Sequence, residues 1–406
     1  MVTLVSSRQR RVLIAGLALA LTANGAWAQK SYGPGVTDIE IKLGQTMPYS
    51  GPASGLSAQG QTDTAYFAKI NEQGGINGRK VKLISLDDGY SPPKTVEQTR
   101  RLIEQEQVLA LYHSLGTPTN SATYRYVNAQ KVPHLFILSG AEKFRDPEHV
   151  PWTVPIVPAL TSEAKAYARY IVEAAPQARI GVLYQNDDFG RDMLKGLKQG
   201  LGDKSMKMIV GEESYEISDP SVDSQIVSLH GAGADTLMLF AVPRFSAQAL
   251  KKAAAIGWKP LRFVSAPSAN VISVMKPVGT EITAGVMAVK FLKDAADPSW
   301  DSDPGMLEYR AFMKRYRPDG DPTDMENVYA YTAAQLMVRV LEQCGDNLTR
   351  DNLLRQALGI KNWEFPLLLP GIKMNTSVTR RAPIDQFQVV RFDGQRWVAV
   401  GGIIGE

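Results

Sequence analysis

The chain has 406 residues, of which 44% are hydrophobic and 21% charged, with a formal net charge of +4. That length suits about two domains at the usual ~100–200 residues each. The near-balance of charge argues against a nucleic-acid-binding face, which needs clustered basic residues, and the single cysteine, Cys344, excludes an intramolecular disulfide.

Ser6-Ser7-Arg8-Gln9-Arg10-Arg11 is a positive opening, Val12 to Leu21 is an apolar run, and Ala26-Trp27-Ala28 is an A-x-A cleavage site. This is the layout of a secretory signal peptide over residues 1–28. The apolar run is short of the ~20 residues a membrane-spanning helix needs. Loss of Arg8, Arg10 and Arg11 with the leader brings the net charge to +1. No cysteine follows the leader for lipid attachment, and no later stretch is apolar enough to span a bilayer. The expectation is a mature chain in the periplasm, without membrane insertion.

Short apolar runs then alternate with longer helix-patterned stretches, the mark of β-α units around mostly parallel sheets. Strands are predicted over Ile39–Gly44, Val81–Leu86, Val108–Tyr112 and His134–Leu138, with helices over Gln59–Asn71, Lys94–Gln107 and Pro118–Ala129. A second series follows the Pro-rich passage Pro151–Pro158. Its strands are Ile180–Tyr184, Met208–Gly211, Thr236–Phe240 and Leu261–Val264. Its helices are Ser162–Glu173, Gly190–Leu201, Ser221–Ala232 and Ser246–Ile256. Two lobes of similar construction are implied.

In doubly wound sheets, ligands sit outside the carboxyl ends of the strands. Those ends supply the candidate binding residues. Thr117 reads as a helix N-cap and Pro118 as the first helical residue, which leaves the Gly116 and Thr117 amides and the Thr117 hydroxyl to meet an anion. Gly140, Ala141 and Glu142 repeat the device after the next strand. In the second series, Phe189 offers an apolar wall and Asp187 a charged contact, with Asp188 an equal candidate for the helix cap. Val242, Phe245 and Pro267 lie in mainly apolar loops, while Arg244 reads as a solvated surface residue. No nucleophile elbow, phosphate loop or complete dinucleotide fingerprint occurs. His113, His134, His149 and His230 have no metal-ligand spacing. No enzyme activity, cofactor or metal is expected.

Asn71-Glu72-Gln73-Gly74-Gly75-Ile76-Asn77-Gly78-Arg79-Lys80-Val81, followed by Asp87-Asp88, resembles the branched-chain amino acid (Leu/Ile/Val) binding protein family, which has the type I periplasmic binding fold. Ser50-Gly51-Pro52, Val132-Pro133 and Asp188-Phe189-Gly190 fall where that family's motifs fall. The resemblance implies an α/β chain of two Rossmann-like lobes joined by three crossovers, near Trp152–Pro158, Thr283–Leu292 and Lys361–Pro366. The N-terminal lobe is then expected over 37–155 plus 290–362, and the C-terminal lobe over 156–289 plus 363–406. Leu115, Gly116, Thr117, Gly140, Ala141 and Glu142 match the family's carboxylate-binding loops. Phe189, Val242 and Pro267 match its second-lobe contacts.

Family members that bind α-amino acids typically carry an acid at the position aligned with Pro267 and an aromatic at that of Val242. Burying an ammonium without that acid is costly. The chain looks closer to the branch that takes up aromatic and other apolar carboxylic acids, marked by Tyr184–Gly190 and Leu368–Lys373, with Leu56 and Tyr90 as further lining. The expected function is that of a monomeric solute-binding protein delivering a small carboxylate to an ABC permease in the inner membrane. A branched-chain amino acid ligand, a receptor feeding a membrane sensor, and an exported enzyme acting on a small acid are the alternatives.

Overall fold

The computed structural model describes residues 30–405; the leader read in residues 1–28 lies outside the described residues. The first half of the chain lays down β1 (Glu40–Met47), β2 (Lys80–Asp87), β3 (Ala110–Tyr112), β4 (His134–Ile137) and β5 (Thr153–Pro155). These form one five-stranded sheet in the order β2-β1-β3-β4-β5, parallel throughout. The helices between them are α1 (Ala58–Glu72), α2 (Pro92–Arg100) and α3 (Thr117–Ala129).

The second sheet has seven strands: β6 (Ile180–Gln185), β7 (Ile209–Tyr215), β8 (Thr236–Phe240), β9 (Leu261–Val264), β10 (Met287–Lys290), β11 (Gln386–Phe392) and β12 (Trp397–Gly405). Their order is β12-β11-β10-β9-β8-β6-β7, and only β11 and β12 run antiparallel to their neighbours. Up to β10 this sheet repeats the order of the first: second strand, first, third, fourth, fifth. Its helices are α4 (Leu160–Ala174), α5 (Asp188–Leu201), α6 (Asp223–Gly231) and α7 (Pro243–Ala255). All residues of β4 and β8 are buried, as strands covered by helices on both faces must be.

Helices α8 (Pro304–Tyr316) and α9 (Met325–Cys344) return to the first sheet and pack on α1, followed by α10 (Arg350–Ala357). Tyr66 on α1 holds them there through Phe312 and Tyr331, with ring centroids 5.6 and 5.1 Å away. The outgoing and returning passages touch where Leu292 bridges Leu368 in antiparallel fashion. Trp363 pairs with Met374 in a hairpin, and the Arg381 guanidinium donates to the Thr153 and Pro151 carbonyls beside the first sheet. The chain enters the second sheet only at Gln386.

Beneath the end of β3 lies a buried polar hub. The Asp63 carboxylate on α1 accepts from Gln45 Nε2 at 2.7 Å and Tyr112 OH at 2.8 Å, and pairs with His113 Nδ1 at 2.7 Å. It ties α1 to β1 and to the first residue after β3. His113 sits at φ +54°, where a non-glycine side chain is strained by roughly 1–3 kcal/mol. The hub thus turns the chain at the entrance to the Ser114–Thr117 loop.

Replacing Asp63 by alanine strands three buried partners. A loss of about 3 kcal/mol or more is expected in urea unfolding. A change below about 1 kcal/mol would show that the hub does not hold this corner of the fold.

Candidate functional site

The two sheets present their carboxyl ends to each other, and between them lies a cavity of about 110 Å³. On one side it is lined by Leu56, Tyr90, Leu115, Gly116, Thr117 and the Leu138–Gly140 loop. Phe189, Val242, Ala266 and Pro267 face them from the second sheet. Val157, Pro158 and Phe291 from the connecting passages, with Val289 of β10, close the apolar wall. These loops come from the ends of β1, β2, β3 and β4 and of β6, β8 and β9; β1 with β3, and β6 with β8, flank the point in each sheet where strand order reverses.

The donors on the first side are fewer than the sequence implies. The Gly116 amide is spent on the Leu138 carbonyl at 3.2 Å, because Leu115 and Leu138 extend the β3–β4 pairing. Gly116 itself is the N-cap, at φ +107°, and the helix begins at Thr117 rather than Pro118. A side chain at Gly116 would collide with the Tyr90 ring. The Thr117 and Gly140 amides make no hydrogen bond among the described residues. The Thr117 and Ser139 hydroxyls bond to each other at 2.7 Å, which leaves one hydroxyl hydrogen of the pair to donate elsewhere. This gives three spare donors on one apolar wall.

Four expected site residues lie off the cavity wall. The Ala141 amide donates to Ser139 Oγ at 3.3 Å. Glu142 faces the rim, paired with Lys195 Nζ at 2.5 Å while its amide donates to Asp192. Asp187 caps α5, accepting from the Phe189 and Gly190 amides and from Gln185 Nε2. Phe245 lies behind the wall, fully buried with its ring 4.3 Å from that of Tyr215. Asp188, the candidate for that cap, instead accepts from Ser121 Oγ at 3.0 Å and pairs with Lys143 across the cleft. Arg244 is exposed on the surface and donates to the Pro220 carbonyl.

The cavity also holds four polar residues that sequence reasoning missed: Gln59, Glu163, Glu326 and Tyr329. Glu163 sits in the first turn of α4 and accepts from Tyr167 OH at 2.9 Å and the Ala266 amide at 2.8 Å, both on Oε1. Burial pushes its carboxyl up to about 7, against those two hydrogen bonds. Glu326 opens α9 and accepts from Gln59 Nε2 at 2.5 Å and from Asn270 Nδ2 at 3.2 Å. Burial, helped by the Asp324 charge, pushes it up to about 8. Asn270 also reaches Asp324 Oδ1 at 2.8 Å, so this end of the cleft is bridged across the lobes. Both glutamates follow a helix start, but nothing in a sequence marks such residues as buried.

At the rim, the loop after β1 is fastened to the loop after β2. Asp87 accepts from Ser50 N and Oγ, Gly89 N and Lys94 Nζ. Burial works against its charge, yet these bonds hold the carboxyl well below the usual range. Asp88 accepts from the Tyr90 amide and Thr95 Oγ1, fixing Tyr90 at φ +59° with its ring against Gly116. Among the described residues no group suited to a metal ion occurs, and no helix is long and apolar enough to cross a membrane.

A family model described as periplasmic binding protein matches residues 40–396. Leu/Ile/Val-binding protein homolog 7 of Brucella abortus is 24% identical over 328 residues, covering 77% of this chain and 79% of that protein. Among solved structures, a branched-chain amino acid ABC transporter protein from Thermus thermophilus with bound valine superposes with a TM-score of 0.81 at 15% identity, covering 91% of this chain and 98% of that one. A fatty acid ABC transporter substrate-binding protein from Thermomonospora curvata gives 0.77 at 22% identity, covering 93% and 95%. At such identities the structural likeness speaks for the fold alone.

Both cavity glutamates lie above their ordinary value of 4.5 in the folded chain, so the protons they hold stabilise the fold. That contribution is full below the ordinary value and fades as pH rises through about 7 and 8. The melting temperature of the wild type should therefore fall, relative to a Glu163→Gln/Glu326→Gln double variant, between about pH 5 and pH 8. A difference that stays constant across that range, measured by thermal unfolding, would contradict the assignment.

Proposed function

The chain belongs to the periplasmic binding protein family, with the type I fold of the branched-chain amino acid binding proteins, and from that premise we propose that it captures a small carboxylate for an ABC importer. The remainder of the ligand is aromatic or apolar. The protein works in the periplasm as a monomer, exported by its cleaved leader, and hands the ligand to a permease in the inner membrane. It performs no covalent chemistry.

The observation that carries this reading is the pairing of spare donors with an apolar enclosure. Charge-assisted hydrogen bonds contribute roughly 1.5–3 kcal/mol each. Thr117 N, Gly140 N and the spare hydroxyl of the Thr117–Ser139 pair together offset much of the desolvation of one carboxylate. Leu56, Leu115, Phe189, Val242, Pro267 and Phe291 then cover the hydrocarbon part. Volume narrows the class further. A single water needs ~10–15 Å³ on the same measure, so a cavity of about 110 Å³ holds the equivalent of several waters. That suits a ring or a short branched chain with its carboxylate, and not a long acyl chain.

Delivery follows from closure. The links from Ser121 and Lys143 to Asp188, and from Asn270 to Asp324 and Glu326, exist only when the two lobes meet. A ligand that touches both lobes favours this arrangement by its greater affinity for it. The closed pair of lobe surfaces is what the permease would read.

Isothermal titration with benzoate, phenylacetate, 3-phenylpropionate and short branched acids should reveal binding of at least one member. A Thr117→Val/Ser139→Ala double variant should weaken it about tenfold or more by removing the hydroxyl that donates to a charged group. Silence across the panel, or full affinity in the double variant, would refute the carboxylate reading.

A further inference from the structure

Two carboxyls from one side of the cleft converge on a single amide from the other. Asp324 caps α9 and Glu326, 2% exposed, stands in its first turn. Asn270, equally buried, follows β9 on the second sheet's side. Its Nδ2 donates to Asp324 Oδ1 at 2.8 Å and to Glu326 Oε1 at 3.2 Å, while its Oδ1 accepts from the Ile272 and Ser273 amides. One nitrogen thus holds both acids, and two carboxyls sharing so small a buried space cannot both stay ionised. Lys290, the cation that acts on both, is itself engaged by Asp294 at 3.4 Å. Gln59 meets Glu326 from α1, Tyr329 faces it from α9, and Asp321 adds negative charge beside Asp324, with Arg317 beyond. The link at Asp188 has no such conflict. Burial works against its charge, yet Lys143 and Ser121 hold that carboxyl below its ordinary range. Glu163 takes its hydrogen bonds from Tyr167 and Ala266, both on the second sheet's side, so its proton bridges nothing.

We propose that the contact of Asn270 with Asp324 and Glu326 is a proton-operated latch between the lobes: the chain takes up a proton at the acid pair as it closes, and loss of that proton favours opening. The latch acts in the chain without ligand and goes beyond ligand capture. In the open arrangement Asn270 is withdrawn, water reaches both acids, and they ionise as ordinary carboxyls. Closing strips that water away and brings the two acids onto one amide, so a pair with a single negative charge fits and a doubly charged pair does not. In the closed chain burial first, and then the Asp324 charge, push Glu326 from its ordinary 4.5 up to about 8, and burial raises Asp324 as well. A proton held more tightly by the closed form favours closure fully below the ordinary value. That contribution is lost as pH rises through about 8. A ligand that needs closure is therefore held more firmly at mildly acidic pH and released more readily at alkaline pH, whatever its own chemistry.

The test uses the full mature chain without ligand, with small-angle X-ray scattering reading lobe opening as a growing radius of gyration. Between about pH 5.5 and about pH 8 the open-to-closed ratio of the wild type should rise about tenfold or more. Glu326→Gln, neutral at every pH, should lose most of that response and stay compact; Gln59 Oε1, which has no hydrogen-bond partner, is placed to accept from the new amide. Should that variant fail to fold, Asn270→Asp keeps an acceptor for the Ile272 and Ser273 amides but sets a third carboxyl against the pair. It should open at a lower pH than the wild type. A wild-type radius that does not change over this range, a response of equal size in Glu326→Gln, or an unmoved midpoint in Asn270→Asp overturns the latch. Because no ligand takes part, such a failure leaves the carboxylate reading standing, and silence toward the acid panel leaves the latch standing.

Discussion

A parallel strand can pass its chain to a helix only beyond its carboxyl end, and this constraint organises the whole molecule. Both sheets have the same order through their parallel strands, so each has one place where successive connections leave in opposite directions. Loops there diverge and leave a crevice. Because the chain crosses between sheets through short passages, two crevices are set face to face and become one cavity. The Asp63 hub and the Asp87 and Asp88 turns serve that geometry: each fixes a loop at the point where a strand ends. The strained residues Tyr90 and His113 lie at those points too, held by hydrogen bonds that outweigh their backbone cost.

The cavity's electrostatics follow from what surrounds it. With no basic side chain in the lining among the described residues, negative charge has to be met by backbone amides and hydroxyls at the start of α3 and in the loop after β4. Such donors carry no desolvation cost of their own charge, and a helix N-terminus adds a favourable field. Opposite them, burial pushes the carboxyls of two glutamates up to about 7 and about 8. A site with polar groups on two walls discriminates by matching polarity along a molecule. Apolar lining alone discriminates weakly, since an added or missing methylene changes binding by only about 1–3 kcal/mol.

Much of the fold was legible because parallel strands buried on both faces read as short, nearly continuous apolar runs. Thr236–Phe240 and Leu261–Val264 have the bounds that pattern predicts. The loops at strand ends could be named for the same reason, and Leu56, Tyr90, Leu115, Gly116, Thr117, Gly140, Phe189, Val242 and Pro267 do line one cavity. Whether a given donor is free was not legible. The Gly116 amide is consumed by strand pairing that runs on beyond Tyr112, and Asp187 caps a helix one residue earlier than the pattern allowed. Least legible were Glu163 and Glu326. An acidic residue in a first helical turn ordinarily faces water, and only the docking of a second lobe removes the water from these two.

The central claim is that a ligand's carboxylate lies against the start of α3. A crystal structure of the chain with the acid that binds it most tightly tests this directly. The account predicts carboxylate oxygens within hydrogen-bonding distance of the Thr117 and Gly140 amides, with the rest of the molecule between Phe189, Val242 and Pro267. A ligand seated outside the inter-sheet cavity, or one whose carboxylate points at Glu163 and Glu326, would contradict it.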